Sequence, residues 1–226
     1  MEDLIGMSAD VFLIALLQII AIDIVLGGDN AIVIALACKN LPEKQRKLGI
    51  FYGALGAIIL RVLMVFFATY LLAIYGLKII GGVLLIWIGV KLCLDSHEMN
   101  LNIKPENRLL TAVKTIIIAD FVMSFDNSLA IAAAADGNIY IVIFGLLLSV
   151  PIIIWGSKII LKLIDKYPQI IYLGGFLLGW IGGEMIQSDV ATVEFYGDLN
   201  WTPLFGALIV WATSFLYRLS KKNKNI

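Results

Sequence analysis

Seven apolar runs, near residues 11–37, 49–73, 75–94, 109–135, 139–162, 170–188 and 202–219, occupy most of the chain. Crossing roughly 30 Å of hydrocarbon takes about 20 helical residues, and each run is close to that length or longer. A backbone in lipid finds no water to bond, so only helices or a closed barrel can span it. The runs lack the roughly ten-residue polar/apolar alternation of a barrel strand. The expected fold is therefore an all-α membrane protein with seven transmembrane helices. Composition agrees: of 226 residues 61% are hydrophobic and 15% charged, which excludes an ordinary soluble enzyme. Seventeen basic and seventeen acidic residues cancel, so bulk charge gives no sign of a nucleic-acid partner. Cys38 and Cys93 are too few and too distant for a CxxC metal motif or a disulfide framework, and read as apolar filler. With no linker or low-complexity stretch, 1–226 reads as a single membrane domain. The first run is not expected to be a cleaved signal, because Glu2, Asp3 and Asp10 precede it and no basic residue does.

Basic residues gather on the cytoplasmic side of membrane proteins. Here Lys39, Lys44, Arg46 and Lys47 follow the first run, and Lys91, Lys104, Arg108 and Lys114 lie around the loop between the third and fourth. Lys158, Lys162 and Lys166 end the fifth, and Arg218, Lys221, Lys222 and Lys224 end the chain. These are alternate ends of the spans, so the N-terminus is expected outside and the C-terminus in the cytoplasm. The opposite connections carry Asp136, Asp189, Glu194 and Asp198, a solvated acidic face.

The chain is also internally duplicated. Residues 22–35, IDIVLGGDNAIVIA, align with 119–132, ADFVMSFDNSLAIA, and GGVLLIWIG at 81–89 aligns with GGFLLGWIG at 174–182. Each copy holds three runs, an odd number, so the copies must cross the membrane in opposite senses, as in the inverted repeats of secondary transporters. Repeat one covers 11–94, repeat two 109–188, and the helix at 202–219 is an addition.

The repeat keeps charge where charge is expensive. Asp23 and Asp29 correspond to Asp120 and Asp126, and Asn30 corresponds to Asn127. A central Asp costs about 2.5 to 3.5 kcal/mol on insertion scales, so four demand pairing, protonation or a bound cation. Arg61, in the second run, is one candidate partner, but one arginine cannot neutralise four carboxylates. Six residues of straight helix would point Asp23 and Asp29 about 240° apart. Gly27 and Gly28 between them offer a break, as in transporters built from discontinuous helices. In the second copy Ser124 and Phe125 take those places, so a break there must come from packing. Inversion is expected to put Asp23 beside Asp126, and Asp29 and Asn30 beside Asp120, in two stacked layers.

Carboxylates with Asn carbonyls form a hard oxygen site suited to Mg²⁺, Ca²⁺ or Mn²⁺, whereas zinc or copper would recruit His or Cys. The sole histidine, His97, reads as ordinary loop surface. Met123 is either a weak sulfur contact favouring Mn²⁺ or apolar packing. Glu184 is either a proton relay or a charge-balancing partner for Arg61. Pro151 is expected to kink the fifth span, and the glycine pairs Gly81–Gly82 and Gly174–Gly175 to allow close helix approach.

The paired motifs DIVLGGDNA at 23–31 and DFVMSFDNS at 120–128 resemble those of the TerC family of integral membrane proteins, and the resemblance runs through essentially the whole chain. It implies a role in metal-ion homeostasis, above all bacterial manganese efflux, and places the family's intramembrane acidic residues at Asp23, Asp29, Asp120 and Asp126. No additional regulatory domain is expected on so short a chain.

The leading expectation is a secondary transporter in the bacterial plasma membrane that exports a divalent metal cation, foremost Mn²⁺, by alternating access, with proton coupling. Mn²⁺ is then cargo, no prosthetic cofactor is required, and the protein is not an enzyme. A membrane factor that supplies metal to exported proteins or helps assemble them could use the same site. An intramembrane aspartyl protease is a weaker alternative, since two carboxylates would suffice for its dyad and this chain duplicates a larger set.

Overall fold

The computed structural model describes residues 9–72, 74–94, 105–135, 138–196 and 200–224. Among these the regular elements are all helical: α1 (Ala9–Leu26), α2 (Gly28–Cys38), α3 (Glu43–Leu72), α4 (Leu77–Leu94), α5 (Pro105–Ala134), α6 (Ile139–Lys166), α7 (Ile170–Gln187), α8 (Val190–Tyr196) and α9 (Thr202–Lys224). His97, Asp136 and Asp198 lie outside the described residues.

Four helices are long and apolar enough to cross a membrane unaided: α3 over Glu43–Phe67, α4, α6 and α7. Two further candidate spans are bent. Val11–Val25 and Gly28–Cys38 meet at 48°, and Arg108–Phe125 and Asn127–Ala134 at 63°. Four to six spans are thus supported, against the seven expected. The last run is helical, as α9, and its apolar part among the described residues is Thr202–Tyr217. The α6 helix continues through Pro151 as one element.

Lipid is as apolar as leucine, so helices in a bilayer associate through close packing and small residues rather than through exclusion of water. The α3 helix packs on α5, α1 and α2 pack on α6, and α4 packs on α7, with α9 against both. Gly53 of α3 lies under Ile116 of α5, and Gly145 of α6 lies under Ile19 of α1. The α4–α7 contact is closer still: Gly82 meets the backbone of Gly182, and Gly89 that of Gly175, while Gly179 and Gly183 receive α9 at Gly206 and Thr202. Most tryptophan rings, including Trp87, Trp155, Trp201 and Trp211, face outward.

The ends are tied by polar side chains. Lys39 is buried and its ammonium donates to the Leu92 carbonyl at the end of α4, a favourable place for a cation. Arg46 donates to the Lys39 carbonyl at 2.7 Å and pairs with Asp165 of α6 at 2.9 Å. At the other end Glu194 hydrogen-bonds the exposed Tyr75 phenol and holds it above its usual titration range.

Asp189 corrects one expectation. It is buried rather than solvated, and its carboxylate accepts from Gly76 and Lys78 N–H groups at 3.0 Å, from Ile79 at 3.4 Å and from Ala191 at 2.8 Å. One side chain therefore caps the starts of both α4 and α8, next to a turn whose Gly76 has φ +78°. With two caps lost at about 1 kcal/mol each, Asp189→Ala is expected to cost about 2 kcal/mol or more. Thermal unfolding in detergent tests this, and Asp189→Asn, which keeps an acceptor, should recover part of the loss. An alanine variant that melts like the parent would contradict the capping role.

Candidate ion site

The two bends lie at the duplicated acidic motifs. In the first copy Gly27 takes φ −109°, ψ 9°, outside the helical range, and separates α1 from α2. A side chain there would strike the Asp23 carbonyl, whereas Gly28 has open space around its Cα. Of the expected glycine pair, then, Gly27 carries the break. The α2 helix restarts immediately, with Asp29 in its first turn, where the positive end of the helix dipole favours a carboxylate.

The second copy bends without glycine, between Ser124 and Ser128. Phe125 is buried and packs edge-on to Phe121 with ring centres 5.1 Å apart. Ser128 donates to the Phe125 carbonyl at 3.0 Å, and Ser124 donates to Asp120 at 3.2 Å. Of the two, only the Ser128 hydroxyl bonds back to the helix backbone, a contact that often accompanies a bend. Two serines flanking a buried phenylalanine were the available signal.

Arg61 of α3 reaches into the space between the breaks and is almost wholly buried. One guanidinium nitrogen donates to Asp23, another to Asp120, and its Nε donates to Ser124 at 3.2 Å. Ser149 of α6 donates to the other oxygen of Asp23. The aspartates that correspond in the two copies are thus joined through one cation, which links the two layers expected to be separate. Breaking such a buried pair exposes an uncompensated charge to a low-dielectric interior, at a cost of about 3–5 kcal/mol.

Asp29 and Asn30 differ. Among the described residues, Asp29 Oδ1 and both amide atoms of Asn30 have no hydrogen-bond partner, although Asn30 is 4% exposed. A buried polar group left unmatched costs about 1–3 kcal/mol, so an arrangement with three such atoms at one place calls for a ligand. Asn30 leans toward the arginine: a Cβ built on Gly27 would stand 3.1 Å from Asn30 Nδ2 and 3.4 Å from an Arg61 guanidinium nitrogen.

The Asp126 side chain lies outside the described ones, so its approach to Asp23 does too. Asn127 stands immediately after the second bend. Among the described residues no three His, Cys, Asp or Glu side chains cluster as a metal site would require. Glu184 does not balance Arg61. It is exposed one turn from the end of α7 and accepts from Trp180 Nε1 at 3.0 Å, while Arg61 is engaged elsewhere. Met123 is buried in the apolar core.

Comparison with known proteins bears on the whole chain. Residues 8–225 match the model of the integral membrane protein TerC family. The Bacillus subtilis membrane protein YjbE is 44% identical over 178 residues, 79% of this chain and 81% of its own. Bacillus subtilis YceF is 28% identical, covering 76% of this chain and 70% of its own, and the Escherichia coli K12 inner membrane protein YgdQ is 23% identical, covering 78% and 81%. No solved structure matches. Matched from one end to almost the other, and carrying both acidic motifs, the chain belongs to the TerC family of integral membrane proteins.

Proposed function

We propose that the protein is a secondary transporter that exports a divalent metal cation, with Mn²⁺ the foremost candidate, through the space between the two broken spans. The observation that carries this reading is the unmatched oxygen set of Asp29 and Asn30 at the restart of a broken helix. Hard carboxylate and amide oxygens suit such an ion, and transporters place their ion sites near the bilayer midplane beside broken helices. In this reading Asp23, Asp29, Asn30, Asp120, Asp126 and Asn127 form the site, with Asp23 and Asp120 engaged by Arg61 when no ion is bound.

The packing supports an inverted repeat. Exchanging Ile19 with Ile116 and Gly53 with Gly145 turns one helix contact into the other. Exchanging Gly82 with Gly175 and Gly89 with Gly182 likewise turns the Gly82–Gly182 contact into Gly175–Gly89. Contacts that map onto each other in this way are what a two-fold axis in the membrane plane produces. The basic ends then face the cytoplasm, with the N-terminus outside.

Flux of Mn²⁺, Ca²⁺ and Mg²⁺ into or out of proteoliposomes, with and without a pH gradient, tests the proposal. Mn²⁺ movement above protein-free vesicles, and lowered manganese in exporter-deficient cells that express the chain, are the expected results. If vesicles bearing folded protein move none of the three ions, transport is refuted and a role in supplying metal to exported proteins takes its place.

A further inference from the structure

We infer that Arg61 is the site's resident counter-cation, held where the transported ion must bind and displaced from Asp23 and Asp120 when the ion enters. This rests on the transport reading above. The argument is one of symmetry. Asp23 and Asp120 are equivalent in the repeat, as are Gly27 and Ser124. Arg61 touches both aspartates and Ser124, and reaches to 3.4 Å from the place a Gly27 side chain would begin. It therefore sits on the axis relating the two copies.

Arg61 itself has no such twin. The register that sets Gly53 against Gly145 puts Ile153 at its equivalent position, an apolar residue of α6. A cradle built twice over thus receives a single cationic side chain from one half only. Helix packing alone would be served equally by two short polar contacts, one per copy. A guanidinium on the axis instead presents positive charge to both carboxylates at once, which is also what an ion entering from either side must do.

Beside it, Asn30 is buried with its whole amide unmatched, and Asp29 has an unmatched oxygen. These are the groups that an arriving ion would gain first. The ion takes Asp29 and Asn30, competes for Asp23 and Asp120, and frees the arginine. When the ion leaves, Arg61 returns, and the empty site is never a set of bare carboxylates in lipid. A competitor tethered to the site lowers apparent affinity by the fraction of molecules in which it is engaged.

The test is Mn²⁺ binding by the purified full chain in detergent, measured calorimetrically. Arg61→Gln should bind Mn²⁺ roughly ten-fold more tightly than the parent and release it more slowly, so that maximal flux in vesicles falls. Mn²⁺ should also raise its unfolding temperature by more than it raises the parent's, because the metal then replaces the lost charge. Affinity in folded Arg61→Gln that is unchanged or weaker would overturn the inference and leave transport standing. Should Arg61→Gln fail to fold even with Mn²⁺, Arg61→Lys decides: a single ammonium cannot hold both aspartates as the fork does, so tighter binding is expected, and unchanged or weaker binding overturns the inference. A parent protein that neither binds nor moves any divalent ion refutes transport itself, a distinct outcome.

Discussion

Asp29→Asn is expected to abolish Mn²⁺ flux while leaving the fold as stable as before. Removing a group that merely orients a metal ligand already costs about 10 to 100-fold in affinity, so neutralising a ligand should cost at least about 100-fold. Stability should hold, unlike at a structural charge. Asp29 Oδ1 has no partner to lose, and asparagine keeps the size of the side chain and an acceptor oxygen. Asp23→Asn gives the contrast, since Asp23 is bonded by Arg61 and Ser149 and the change weakens a buried ion pair, at a cost of about 3–5 kcal/mol. Melting curves and vesicle flux on both variants separate the roles. If Asp29→Asn transports normally, the candidate site is wrong. If it melts as low as Asp23→Asn, Asp29 holds the fold and not an ion.

The second large effect belongs to the glycine seam. Gly82→Leu is expected to prevent accumulation of folded protein, and Gly82→Ala or Gly182→Ala to destabilise it by about 1–3 kcal/mol, the range for overpacking a close contact. The obstacle at Gly82 is the Gly182 backbone and at Gly182 the Gly82 carbonyl, neither of which can rotate aside like a side chain. Gly28 is the control: exposed, with nothing within 4 Å of an added Cβ, it should accept alanine with little change. Protein yield from membranes and unfolding temperature report the outcome. Equal tolerance at Gly82 and Gly28 would mean that α4 and α7 are not in backbone contact.

Much of this was legible in the sequence because its signals are periodic or duplicated. Apolar run length gave the α3, α4, α6 and α7 spans, and Gly27 gave the first break. The repeated D-x5-DN motif directed attention to Asp23 and Asp120, which meet at Arg61, and to Asn30, which stands beside it. What the sequence hid depends on contacts between distant segments. Asp189 reads as one more acidic loop residue until α4 and α8 bring their free N–H groups to it. Arg61 was recognisable as a charge among apolar residues, but its pairing with the two equivalent aspartates appears only once α3 is packed against α5. The last run forms the helix expected of it, with Thr202–Tyr217 its apolar part. The bend at Asp126 could not be argued from glycine, because Ser124 and Phe125 stand where the first copy has Gly27 and Gly28.

The α4, α7 and α9 helices meet through Gly82, Gly89, Gly175, Gly179, Gly182, Gly183 and Gly206. Where main chains touch, there are no rotamers to exchange, so this trio can tilt or slide only as a single rigid piece. Any alternation between inward-open and outward-open forms must then be accommodated along its border with the other helices, where interlocking isoleucines and leucines can change partners.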